Sequence, residues 1–165
     1  MIRLTTLLLV LLTGVALGHG EEAAPRVDRV VVHKAERALL LMAGDRVVRR
    51  YEISLGPQPR GHKQRQGDGR TPEGRYVLDW KHPDSRYHKA IHISYPNRED
   101  RRRAAAAGVS PGGDIMIHGL PDGVGRLIYW KKGRDWTDGC IAVSNEAMDE
   151  IWTMVPVGTP IEILP

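Results

Sequence analysis

The sequence predicts one mainly β domain carrying two or three short helices, and three observations lead there. From residue 29 the chain reads VVVHK, ALLLM and VVRRYEISLG, three β-rich runs separated by the short polar turns AER and AGDR. Only two later segments carry paired helix start and stop signals. There is a single cysteine, so no internal disulfide is available and a hydrophobic core must hold the fold.

In chain order, the first three runs predict an antiparallel meander, and two further strands are expected at 75–80 and 91–95. The segment at 56–76, GPQPRGHKQRQGDGRTPEGRY, is too rich in glycine and proline for regular structure. Its Lys63, Arg65 and Arg70 predict a wet surface loop, of a length that is often functional. NREDRRRAAAAG predicts a helix: Asn97 can cap it, Asp100 falls three residues later, alanines follow and Gly108 can end it. PGGDIMIHG returns to a strand. SNEAMDEIWTM predicts a second helix, capped by Ser144 or Asn145, with Met148, Ile151 and Trp152 at helical spacing. TPIEIL closes the chain as a strand, and no internal repeat interrupts the pattern.

Residues 1–18, MIRLTTLLLVLLTGVALG, read as a secretory signal, with Arg3 as its positive end, an apolar stretch and a small-x-small site at Ala16-Leu17-Gly18. An uncleaved anchor is the alternative. The expected organisation is a signal peptide at 1–18, a short linker at 19–28 and one domain at 29–165, exported to the periplasm or cell envelope. The net charge of +4 loses only Arg3 with the signal, and such a mild excess, without a basic run interleaved with aromatics, is no nucleic-acid signature.

An exported chain with one thiol raises the question of what Cys140 does. A lone cysteine is more often an inert buried hydrophobe than a reactive group, and the unpaired thiol of an exported chain adds weight to the second reading without reversing that order. A catalytic cysteine needs a base, donors for the developing oxyanion and an approach for substrate. Gly139 lets a carbonyl come close to the backbone, where amides of Gly139, Cys140 and Asp138 can converge. Asp138 is no cationic activator. Of seven histidines, His118 is the strongest candidate base, because it ends an apolar strand and is followed by Gly119.

IMIHG, then 17 residues, then TDGCIAVSN resembles the signature of the L,D-transpeptidase catalytic domain family of YkuD type. GDGRTPEGRY resembles that family's loop leading into a strand, and HISYPN, PGGDIMIHG and DWTDGCIAVSN resemble its exported, YafK-like murein branch, so that the likeness covers most of the chain beyond the signal. The resemblance implies a β-sandwich or barrel, Cys140 as nucleophile, His118 as general base and proton donor, and the backbone carbonyl of Gly119 orienting the imidazole. It also implies action on peptidoglycan stem peptides through a thioester, with Thr137 at the family's Ser/Thr position. Transfer to an amine makes cross-links or protein attachments; transfer to water makes a hydrolase or amidase, with a wall-linked lipoprotein as a further partner. Asp138 stands where histidine is usual, and Ala142 where many members carry an arginine that can hold a substrate carboxylate.

Trp136 and Arg134, with Trp130, Lys131 and Lys132, lie between His118 and Cys140 and are expected to border the cleft, where aromatic planes and cations suit an anionic stem peptide. His92 is a buried strand histidine or a further lining residue. His82, His88, His92, Asp79 and Asp84 make a zinc site only on paper, since no His-Glu-x-x-His pattern occurs; no metal and no cofactor are expected. Arg101, Arg102 and Arg103 read as a solvated face, and the glycine-rich loop at 67–74 lacks a phosphate cradle. A silent wall-binding module would need neither Cys140 nor His118. Oligomeric state is not legible.

Overall fold

The computed structural model describes residues 26–121 and 135–165, so the expected signal segment lies outside the described residues. Among the described residues eight strands form one curled sheet in the order β3-β2-β1-β8-β4-β5-β6-β7. The meander is present: β1 (Arg29–His33), β2 (Ala38–Ala43) and β3 (Arg46–Glu52) pair antiparallel in sequence. The last strand, β8 (Thr159–Leu164), is slotted between β1 and β4 (Gly74–Ser85), parallel to the first and antiparallel to the second.

The β4 strand is longer than expected, running through Pro83 to Ser85, and makes a hairpin with β5 (His88–Ile93), which also starts earlier than expected. The register shifts between Leu78 and Trp80: Leu78 opposes Ile93 and Trp80 opposes His92, which leaves Asp79 as an extra residue in a β-bulge. Beyond β5 come β6 (Met116–His118) and a two-residue parallel partner, β7 (Ile141–Ala142).

The sheet nearly closes on itself. Ser54, just past β3, exchanges both backbone hydrogen bonds with Ala142 of β7, at 2.8 and 2.9 Å, so the two outer edges of the strand order meet. That single bridge brings the end of β3 onto the β7 edge and gives the curled sheet its barrel character. Inside lies a core of aliphatic side chains such as Val30, Leu39, Leu78, Ile91, Ile117 and Ile141, each at most 1% exposed. Val27, at the end of the expected linker, is buried with them.

Both expected helices form. Helix α1 (Arg98–Ala106) begins with a capping box: the Asn97 side chain accepts from the Glu99 and Asp100 amides, and the Asp100 carboxylate accepts from the Asn97 amide. Gly108 leaves it in the left-handed region. Helix α2 (Asn145–Met154) takes Ser144, not Asn145, as its cap, and buries Met148 and Ile151 against the sheet.

The segment at 56–76 is an irregular loop with Arg65 exposed, as expected, but β4 takes it over at Gly74 and Lys63 departs from the wet reading. Lys63 is only 2% exposed and donates to Asp68, whose carboxylate also accepts from the Gln64, Arg65 and Arg70 amides. Burial alone would raise the Asp68 carboxyl, but these donors outweigh it and hold the group below the usual carboxylate range. Lys34, 1% exposed, reaches across from the β1 end to the carbonyls of Gly61 and Thr71 and to Glu73. The buried charges of the loop are therefore matched, Lys63 by Asp68 within it and Glu73 by Lys34 from the end of β1.

Candidate active site

Strand alternation aims the two expected catalytic side chains to one side. Ile117 of β6 and Ile141 of β7 are directly opposed and both face the core, so their neighbours His118 and Cys140 point away from it. Both line one cleft of about 530 Å³, together with His82, Tyr87, Met116, Trp136, Thr137 and Asp138. Two larger clefts, of about 850 and 700 Å³, contain neither residue.

The His118 imidazole is held from three sides. Its Nδ1 lies 2.7 Å from the carbonyl oxygen of Gly119. A carbonyl only accepts, so Nδ1 carries the proton and the neutral ring keeps its lone pair on Nε2. The Tyr87 ring lies 4.6 Å away, centroid to centroid, and Trp136 meets it edge-on at 5.7 Å. Burial pushes His118 below the ordinary imidazole value, partly offset by the Gly119 bond.

Behind His118, Gly119 leaves room for a brace. A Cβ there would stand 2.6 Å from Asn145 Oδ1 and 3.0 Å from the His88 Cβ. The same Asn145 oxygen accepts from the Leu120 amide at 2.7 Å, so the first residue of α2 holds the turn that carries the orienting carbonyl. Sequence reasoning missed Asn145, seen only as a possible cap, and missed Tyr87 altogether.

Cys140 leaves a turn that is knitted from within. Thr137 Oγ1 donates to the Cys140 carbonyl at 2.7 Å and accepts from the Gly139 amide at 3.2 Å, while the Thr137 amide donates to Leu55. Just upstream, Asp135 accepts the Arg37 guanidinium at 2.9 and 2.6 Å and the Leu55 amide. Thr137 is thus a strut whose hydroxyl is committed to the turn. The Gly139 amide is directed at that hydroxyl, by a bond at the long end of the usual range.

Backbone geometry by itself calls for glycine at 139. Its φ is +119°, and an added Cβ would lie 2.5 Å from the Arg70 carbonyl oxygen, so the ordered loop buttresses the cysteine turn. The half-buried Cys140 sulfur lies 3.5 Å from the Asp114 carbonyl. Burial pushes its thiol above the ordinary value; a Met116 backbone hydrogen bond opposes this and the Asp138 charge adds to it. Both shifts favour the uncharged form of each group.

The remaining expected residues divide. Asp138 is exposed on the cleft wall, and Trp136 lines the cleft with its indole Nε1 buried and without a partner among the described residues. Arg134, with Trp130, Lys131 and Lys132, lies outside the described residues. His92 stands apart from the lining, with Nδ1 2.6 Å from Asp79. Ala142 is beside His118 in register but only 2% exposed and not part of the cleft wall. His88 pairs with Asp149 instead, and among the described residues no three His, Cys, Asp or Glu side chains are grouped to hold a metal ion.

A family model described as the L,D-transpeptidase catalytic domain matches residues 27–163. Over 108 residues the chain is 41% identical to the Escherichia coli K12 protein named "Putative L,D-transpeptidase YafK", covering 64% of this chain and 34% of that one. It therefore spans about a third of that relative's length. Among solved structures it is similar to the helical cell shape determining protein Pgp2 of Campylobacter jejuni, with 27% identity, a TM-score of 0.62, and coverage of 83% of this chain and 47% of that one. It also shares the fold of an L,D-transpeptidase from Xylanimonas cellulosilytica, at 19% identity and a TM-score of 0.54, covering 86% and 62%.

Proposed function

The chain belongs to the L,D-transpeptidase catalytic domain family, and on that premise we propose that it is an exported cysteine acyltransferase acting on peptidoglycan stem peptides. The observation that carries the reading is the neutral His118 ring, its Nδ1 proton held by Gly119 and its Nε2 lone pair left over, on the same cleft wall system as the Cys140 thiol.

In the proposed reaction Cys140 Sγ attacks the carbonyl carbon of the diaminopimelate residue that precedes a terminal D-alanine. The thiol proton passes to His118 Nε2 as the carbon–sulfur bond forms. The resulting oxyanion is met by the Cys140 amide and by the Gly139 amide, which exchanges its 3.2 Å bond to Thr137 for the stronger charged acceptor. When the tetrahedral intermediate collapses, the carbon–nitrogen bond breaks and His118 returns the proton to the departing D-alanine amine. An acceptor amine then attacks the thioester, loses its proton to His118, and releases Cys140 as the thiol. Since burial favours the uncharged form of both groups, proton transfer accompanies attack in this scheme.

With water as acceptor the same thioester gives hydrolysis. The test is incubation of the purified protein with tetrapeptide muropeptides and with lipoprotein-linked muropeptides, followed by chromatography and mass analysis. Dimers linked through the diaminopimelate carbonyl, with free D-alanine, are the expected products. Tripeptides or released adduct without dimers would make the protein a hydrolase; unchanged substrates would reject the enzymatic reading.

A further inference from the structure

We propose that Trp80, His92 and His82 form a saccharide-binding ledge that receives a sugar ring of the glycan strand bearing the stem peptide. The proposal rests on the peptidoglycan reading above and adds that the protein reads the glycan as well as the peptide.

The β-bulge is the first reason. With period-two alternation Trp80 would share the inward face of Leu78, which is fully buried. The extra residue Asp79 turns Trp80 outward, opposite His92, where it remains 41% exposed. A ring this large forgoes substantial apolar burial there. Bulges that re-aim a side chain recur beside functional sites, and this one does so next to the cleft.

Its surroundings give the exposed ring a chemistry. The His92 imidazole stacks on Trp80, with centroids 5.1 Å apart and planes 19° from parallel, and His82 stands 6.0 Å away at 54°. Asp79 Oδ1 lies 2.6 Å from His92 Nδ1. A carboxylate accepts from a ring N–H, so Nδ1 donates to Asp79, which leaves Nε2 as a second polar atom of the ring and Asp79 with a second oxygen. A flat aromatic face rimmed by fixed polar groups matches a pyranose, whose ring presents a C–H face and an edge of hydroxyls. An acyl chain would desolvate Asp79 without pairing it, and an anionic group would meet that carboxylate directly.

The ledge runs into the reaction site. His82 is itself on the cleft wall, and His92 pairs in register with Met116, another wall residue. A peptide whose scissile carbonyl reaches Cys140 would bring its attached sugar within range of Trp80.

The test uses Cys140→Ala protein, so that binding is read without turnover, titrated with disaccharide-tetrapeptide, with free tetrapeptide and with an N-acetylglucosamine tetrasaccharide. The disaccharide form should bind about tenfold more tightly than the free peptide. Trp80→Ala should abolish that margin and the tetrasaccharide binding, and Trp80→Tyr should restore most of both. Equal affinity for the two peptides, no tetrasaccharide binding, or the same loss for all ligands in Trp80→Ala would overturn the ledge. Failure of the cysteine chemistry would show separately, as wild-type protein that never releases D-alanine while the saccharide still binds.

Discussion

The Arg70 carbonyl oxygen lies 2.5 Å from where a Cβ on Gly139 would stand, so the loop that carries Arg70 and the turn that carries Cys140 touch backbone to backbone. Gly139→Ala would face both a disfavoured φ of +119° and this contact. We expect a loss of roughly 2–4 kcal/mol in stability, read by denaturant unfolding, because strain and overpacking add. Acylation should fall even in the folded fraction, since the turn must shift. Unchanged stability would mean that the loop yields freely and does not set the position of the thiol.

The His118 environment makes a pH prediction with a definite sign. Burial lowers its value, so the basic form persists to more acid pH than for an ordinary histidine, and the acid limb of kcat/KM should lie below about 6.5. The unfolded chain takes this proton first. The contribution of His118 to stability is therefore full above the unfolded value and declines as pH falls through it toward the folded value. His118→Ala should lower the rate roughly 100- to 10,000-fold, with recovery only above the ordinary thiol range, because Cys140 is itself raised. A pH profile unaltered by the substitution would assign the base to another residue.

Local signals were legible because their physics is local. The strand runs of β1 to β3 and the Asn97 cap are each decided within a few residues and were legible, whereas the second cap stayed open between Ser144 and Asn145 until the fold chose Ser144. The insertion of β8 between β1 and β4 depends on pairing across the length of the domain, for which no short stretch carries a signal. The two residues of β7 are too few for any periodicity. Charge misled at Lys63: an isolated lysine reads as solvated, and only the Asp68 geometry shows that its charge is matched in a buried place. At the site, Cys140 and His118 stood out through their motif. Tyr87 and Asn145 did not, because each acts through proximity to His118 or Gly119 that the fold alone creates.

Lys34 tests whether the ordered loop matters. Its ammonium joins Gly61, Thr71 and Glu73 to the end of β1, and burial lowers its value, with the Glu73 bond opposing that shift. Lys34→Met preserves much of the side-chain volume but leaves two carbonyls and a carboxylate without their donor. The expected cost is about 2–4 kcal/mol in unfolding free energy. Hydrogen exchange should rise across 61–73, and the rate of acylation should fall through the Arg70 contact with Gly139. Loss of stability without a change in acylation would separate the loop from the cysteine turn.

The central claim is that the one thiol of the chain carries the acyl group. Intact-mass measurement after exposure to a carbapenem, whose reactive carbonyl stands in for the donor peptide, tests it most directly. Wild-type protein should gain the mass of one carbapenem, and proteolytic mapping should place it on Cys140. Cys140→Ala should stay at its own mass while retaining the wild-type circular dichroism spectrum. An adduct of equal yield on folded Cys140→Ala, or release of D-alanine from tetrapeptide muropeptides by that variant at the wild-type rate, would contradict the account.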